Sequence, residues 1–326
     1  MEYVRLGGTG LKVSRLVLGC MSFGVPERGT HAWTLGQEES RPIIRRALDI
    51  GINFFDTANA YSDGTSEEIV GKLIHDMVAR DEVVIATKVY GRMSSDANGM
   101  GLSRKSIFRE IDNSLRRLGT DYIDLYQIHF WDNDTPIEET LEALDDIVKT
   151  GKVRYIGASN TYAWQLAIAL GVADKNGWAR FATMQSHLNL LYREEEREML
   201  PLCQAQGVGV ITFSPLARGR LARAWTDTST RSETDPVTKR FYGATEEADR
   251  KVVEAVTRIS ERRGVPRAHV AMAWVAQKPG VTAPIIGATK EQHLDDALAA
   301  LSLKLDPDEV AALEEPYVPH AVVGLN

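Results

Sequence analysis

Short apolar runs and longer amphipathic stretches alternate along almost the whole chain. The runs at Leu16–Gly19, Asn53–Thr57, Val83–Lys88, Ile123–His129, Arg154–Ser159, Ala182–Ser186, Gly209–Phe213 and Ala283–Gly287 have the length and continuity of strands buried on both faces. Between them, apolar positions recur every three or four residues. Ile107, Ile111, Leu115 and Leu118 form one such stripe, closed by Gly119, and Ile137, Leu141, Leu144 and Val148 form another, closed by Gly151. Thr135-Pro136-Ile137-Glu138 reads as a capping box with proline at the first helical position. Eight strand–helix units over about 300 residues predict an α/β fold, a (β/α)8 TIM barrel forming one domain over residues 1–326, with a doubly wound sheet as the alternative.

Three segments break the alternation. Residues 1–15 predict a hairpin around Gly7-Gly8-Thr9-Gly10 that plugs the bottom of the barrel. This glycine cluster precedes any buried strand, so it does not fit a Rossmann phosphate loop. Residues 217–246 read as a long polar loop after the seventh strand, and residues 305–326 as a tail with a short helix, Pro316 and Pro319. Long loops at the C-terminal ends of barrel strands are where such folds build their sites.

Composition narrows the function classes. The formal net charge of −7 is spread without acidic or basic blocks, which argues against nucleic acid or an anionic membrane as the main partner. Cys20 and Cys203 are the only cysteines, which suggests no disulfide framework and suits a reducing, cytoplasmic setting. The N-terminus carries no signal-like apolar stretch, and no apolar run reaches the roughly 18 residues of a membrane span. His31, His75, His269 and His320 lack ligand spacing, so no metal is expected.

The chemistry gathers at three strand ends. Asp56, Lys88 and His129 each close an apolar run, and Tyr61 follows Asp56 by one short loop. If the second, third and fourth strands are neighbours, four titratable groups meet at one mouth. A phenol is a poor acid near neutrality, with a reference pKa of about 10, and a nearby ammonium is expected to lower it. Lys88 would supply that charge, Asp56 would keep Lys88 protonated, and His129 would hydrogen-bond a substrate oxygen. The set makes a proton donor for a carbonyl oxygen, with the electron pair coming from a hydride-bearing cofactor.

Phe55-Asp56-Thr57-Ala58-Asn59-Ala60-Tyr61-Ser62, Ala86-Thr87-Lys88, Gln127-Ile128-His129, Ile156-Gly157-Ala158-Ser159-Asn160 and Ser214-Pro215-Leu216-Ala217-Arg218-Gly219 occur in order with barrel spacing. In this the chain resembles the aldo-keto reductase superfamily, most closely the bacterial YajO-like group related to the potassium-channel β-subunits. The resemblance implies a catalytic tetrad of Asp56, Tyr61, Lys88 and His129 with Tyr61 as general acid/base. It also implies cofactor contacts. Gly19, Cys20, Met21 and Asp56 would lie near the nicotinamide ribose, Ser159, Asn160 and Gln185 would hold the carboxamide, and Phe213 would stack on the ring. Ser214, Pro215, Leu216, Gly219 and Arg218 or Arg220 would line the pyrophosphate. Gly287, Thr289, Lys290, His293 and Asp296 would meet the adenosine end, where a helix start and a lysine suit a 2′-phosphate. NADP(H) is therefore preferred, with NAD(H) the alternative, because His293 and Ala297 depart from residues common among NADP-binding members.

Trp33, Tyr90, Trp131 and Trp225 fall in mouth loops and are candidate walls for an apolar or aromatic carbonyl substrate. His187 reads as structural, and Cys203 as a small core residue. Two other functions are compatible with the pattern. One is a Schiff-base aldolase using Lys88, which needs a neutral amine that Asp56 opposes. The other is a nucleotide-sensing regulatory module with slow turnover. The oligomeric state is not legible.

Overall fold

The computed structural model describes residues 1–29, 33–227, 236–243 and 245–324. An antiparallel pair, β1 (Tyr3–Arg5) and β2 (Lys12–Ser14), precedes eight parallel strands. These are β3 (Val17–Gly19), β4 (Phe54–Asp56), β5 (Val84–Val89), β6 (Ile123–Ile128), β7 (Val153–Ser159), β8 (Phe181–His187), β9 (Gly209–Phe213) and β10 (Val281–Gly287). They pair in chain order, and β10 closes on β3, so the sheet is a closed barrel and not a doubly wound sheet. Each apolar run in the sequence is one barrel strand.

The helices are α1 (Gln37–Asp49), α2 (Thr65–Met77), α3 (Arg104–Leu118), α4 (Ile137–Lys149), α5 (Ala163–Asn176), α6 (Met199–Gln206), α7 (Pro236–Tyr242), α8 (Glu246–Arg263), α9 (Arg267–Gln277), α10 (Glu291–Ser302) and α11 (Pro307–Glu314). The stripe on α3 buries Ile107, Ile111 and Leu118, and the helix ends on Gly119 at φ 64°, a left-handed cap that glycine enters freely. At α4 the expected capping box does not form. Pro136 itself is the N-cap, and the Thr135 hydroxyl turns back to donate to Asp132 at 2.8 Å, because proline ahead of Ile137 sets the extended backbone that starts the helix.

Two apolar layers hold the fold. One lies between strands and helices and includes Phe55, Ile85, Tyr126, Ile128 and Ile156. The other fills the barrel interior, where Phe54, Val84, Leu125 and Ile211 meet Leu6 and Val13 of the hairpin. The hairpin thus plugs one end, as its sequence predicts. Gly7 is needed there: it sits at φ 57°, and a Cβ on it would lie 2.5 Å from the Gly209 nitrogen. Arg15 stitches the seam, its guanidinium donating to the carbonyls of Val281, Thr282 and Ala276.

The segment 217–246 is not simply a loop. It contains a tight helical turn at Ala217–Ala222 and the helix α7, while 228–235 and 244 lie outside the described residues, as does His31. Among the described residues no helix is long and apolar enough to cross a membrane, and no group of three or more His, Cys, Asp or Glu is arranged to hold a metal.

Candidate active site

The C-terminal ends of β4, β5 and β6 are adjacent, and they bring the four candidate residues together. Lys88 is fully buried, and its ammonium has three acceptors: the Asp56 carboxylate at 2.6 Å, the Thr57 carbonyl at 2.8 Å and the Tyr61 phenol oxygen at 3.2 Å. Three donors on three acceptors fix the amine completely. The His129 ring meets the Tyr61 ring edge-on, with centroids 5.9 Å apart.

Asp56 is held from its other side by two amides that sequence reasoning did not place there. Gln127 and Gln185 both donate to its Oδ1, at 3.1 and 2.9 Å. Gln127 shares the inward face of β6 with His129 two residues later, so the period of two was the signal that could have found it. Gln185, expected on a cofactor amide, points its own amide at Asp56.

The electrostatics correct one expectation. Burial raises the Tyr61 pKa, and this outweighs the lowering by Lys88, so the phenol sits above its ordinary value. Burial alone would lower the Lys88 pKa, but Asp56 and Tyr61 outweigh it and the net direction is upward, so the ammonium form is favoured. Burial, with a smaller contribution from Lys88, pushes His129 down to about 3, so its imidazole is neutral at physiological pH. The site therefore holds a protonated phenol, a fixed cation and a neutral imidazole.

Around this centre, Gly19 ends β3 in register with both Asp56 and Gly287, and Cys20 and Met21 follow in a helical turn. Cys20 is buried, and burial raises its thiol pKa, which opposes redox reactivity. Ser159 and Asn160 end β7, where Asn160, at φ 49°, donates to the His129 carbonyl at 2.9 Å. Phe213 ends β9, and its ring stacks on His187 at 5.1 Å and 6°. His187 is buried and neutral, stacked also on Tyr192 at 4.3 Å and hydrogen-bonded to Tyr242 at 2.8 Å, which makes it a packing element.

Beyond Phe213 the backbone turns left-handed at Ser214, Ala217, Arg218 and Gly219. Pro215 is buried and Leu216 partly so. Arg223 lies across this turn: a Cβ on Gly219 would meet its guanidinium at 2.8 Å. Arg220 pairs with Glu246 at 3.2 Å and lies over the Trp225 ring at 5.2 Å. Gly287, Thr289 and Lys290 lead into the start of α10, where the exposed His293 accepts the Thr289 N–H at 3.3 Å and Asp296 pairs with His269 at 3.2 Å. Burial, Lys290 and Arg223 together depress the His293 pKa, so both cations act on that ring. Arg223 is thus a candidate residue that the sequence reading did not single out. Its only sequence signal is its place among the arginines after Phe213.

Of the aromatic candidates, Tyr90 is linked to the tetrad through Phe130, which lies 5.5 Å from Tyr90 and stacks on His129 at 4.9 Å. Trp131 and Trp225 pack against the outer core, and Trp33 is partly buried between β3 and α1.

The chain is similar to known proteins along almost its whole length. A family model described as the Aldo/keto reductase family matches residues 15–317. The versiconal hemiacetal acetate reductase of Aspergillus parasiticus is 44% identical over 99% of this chain and 98% of its own length. A putative aryl-alcohol dehydrogenase of Schizosaccharomyces pombe is 44% identical over 99% and 97%, and the aldo-keto reductase AMT2 of Alternaria alternata is 41% identical over 97% and 91%.

Proposed function

Since the chain belongs to the aldo/keto reductase family, we propose that it reduces aldehydes and ketones to alcohols with a nicotinamide cofactor, using Tyr61 as the proton donor. The observation that carries this reading is the Lys88 ammonium held between Asp56 and the Tyr61 oxygen, next to a neutral His129.

The residues fit such a cofactor. An anionic pyrophosphate suits the left-handed turn from Ser214 to Gly219. A further phosphate suits Arg223 and Lys290 at the start of α10, which favours NADP(H) over NAD(H). Phe213, backed by His187, offers a flat face for the nicotinamide, and Ser159 and Asn160 offer polar atoms beside it. When bound, the reduced nicotinamide supplies the hydride.

The protein's own residues do the rest. His129, being neutral, has a ring N–H to direct at the substrate oxygen, and the Tyr61 hydroxyl gives that oxygen its proton. Lys88 stabilises the phenolate left behind, and its hydrogen bonds to Asp56 and Thr57 keep it from moving. Tyr90 and Phe130 favour a flat aromatic carbonyl. The same contacts weigh against the aldolase alternative, because an amine paired with a buried carboxylate favours the charged form.

Purified protein with NADPH and 4-nitrobenzaldehyde should consume the nicotinamide absorbance. Absence of turnover with either nicotinamide across a panel of aldehydes would overturn the proposal.

A further inference from the structure

Tyr61 stands at the head of a strained turn. Ser62, Asp63 and Gly64 follow it at φ 46°, 53° and 85°, three left-handed residues in a row, of which two carry side chains. Such a turn persists only when its surroundings impose it. On the solvent side, the Arg28–Asp63 ion pair at 3.1 Å has both side chains about half exposed, so it contributes little. The firmer support comes from below.

Arg117, on the last turn of α3, donates from Nε to the Glu67 carboxylate at 2.6 Å, and Glu67 is fully buried at the start of α2. The other Glu67 oxygen accepts the Thr87 hydroxyl at 2.5 Å, and Thr87 is the residue before Lys88 on β5. The Arg117 side chain also runs beneath Gly64, where a Cβ would meet its Cδ at 2.7 Å. At 3.9 Å the same guanidinium faces Glu110, which accepts the Asn59 amide at 3.2 Å. The turn carrying Tyr61 is therefore backed at Gly64 by the Arg117 side chain and at Asn59 by Glu110, which faces the same guanidinium, and Arg117 is tied through Glu67 to the strand carrying Lys88. None of these groups touches the Tyr61 hydroxyl.

We propose that Arg117, with Glu67 and Glu110, is a positioning residue that sets the Tyr61 hydroxyl against the Lys88 ammonium. The inference rests on the carbonyl-reductase reading above. Glu110 keeps a second cation, Arg109, at 3.2 Å, whereas Arg117 is the cation that holds Glu67. Lysine at 117 preserves the charge but not the planar fork that spans the two carboxylates.

Arg117→Lys is the test, with the exposed Arg116→Met on the same helix as control. In Arg117→Lys, kcat should fall roughly 10- to 100-fold, as a small misplacement of a reacting group does, while KM for NADPH stays within about twofold. The deuterium isotope effect on kcat should rise, and guanidinium ion should restore turnover to Arg117→Ala. A purely structural role would lower thermal stability and leave kcat per folded site and the isotope effect where they were, and that result overturns the proposal. Should both Arg117 variants fail to fold, Asn59→Ser releases the other end of the turn and is read the same way. Crystal structures of parent and variant give a readout independent of turnover: a Tyr61–Lys88 separation beyond hydrogen-bond reach supports the inference, and an unchanged one defeats it. An inactive parent counts against the reductase reading alone, since the crystallographic comparison still decides this one.

Discussion

The Lys88 ammonium donates to the Tyr61 phenol at 3.2 Å, yet the phenol is a weaker acid than in water, because burial outweighs the cation. Both facts follow from one arrangement. The amine that would stabilise a phenolate is itself neutralised by Asp56 at 2.6 Å, so its field at the ring is partly cancelled. In the resting site the phenol keeps its proton, and on the proposed mechanism it yields that proton only when an alkoxide forms beside it.

Tyr61→Phe should therefore lower kcat by two to four orders of magnitude, about the range that general acid catalysis supplies, and leave cofactor binding unchanged. Fluorescence titration with NADPH beside steady-state reduction of an aromatic aldehyde separates the two. For the parent, reduction should decline only on the alkaline side, above the ordinary tyrosine value of 10, because the protonated phenol is the active form and its pKa is raised. A half-titration near neutrality would show that another group donates.

Histidine burial predicts how stability responds to acid. His187 is held near 3 in the folded chain against an ordinary 6.5. Between those values the unfolded chain binds the extra proton, so the stabilisation is complete above 6.5 and is lost as pH falls toward 3. Replacing His187 with Gln should make the acid limb shallower by at most about 1.4 kcal/mol per pH unit over that window. Urea unfolding at pH 7, 6, 5 and 4 measures it, and parallel limbs for parent and variant would contradict it.

The barrel seam makes a prediction about stability with no bearing on chemistry. Arg15→Met leaves the carbonyls of Ala276, Val281 and Thr282 without their donor where β3 meets β10. The expected loss is about 2 to 4 kcal/mol, with the kcat of the folded protein unchanged. Denaturant midpoints at constant m-value test the first part, and turnover well below the midpoint tests the second.

Lys290→Ala combined with Arg223→Ala should weaken NADPH by about tenfold or more and NADH by much less, since each charge-assisted phosphate contact contributes more than a neutral one. Equal losses for the two nucleotides would place the 2′-phosphate elsewhere.

The sequence carried the strands and the meeting of Asp56, Tyr61, Lys88 and His129 because both depend on local rules. Continuous apolar runs such as Val84–Val89 must be buried on both faces, and closing them into a barrel in chain order leaves Asp56, Lys88 and His129 on one rim. What it did not carry depends on contacts between distant elements. The two glutamines on Asp56 come from β6 and β8, 71 and 129 residues away; a period of two puts Gln127 on the inward face, but nothing in the sequence aims either amide at Asp56. The capping box at Thr135 did not form because Pro136, with its extended backbone, is the N-cap, and the Thr135 hydroxyl donates to Asp132 instead of lying over the first turn. The direction of the Tyr61 pKa was misread because sequence supplies the neighbouring charge but not the depth of burial.

The chain order of the barrel separates two groups of candidate residues in time. The four candidate acid–base residues all lie before residue 130, while the left-handed turn, Arg223 and the α10 start all come after Phe213. During synthesis the first group emerges long before the second, and the barrel closes around both only when β10 pairs with β3. On the function proposed above, a crossover between related genes after Gln185 and before Phe213 would exchange the nucleotide contacts and keep Tyr61, Lys88 and both amides on Asp56, provided the new last strand still meets the first.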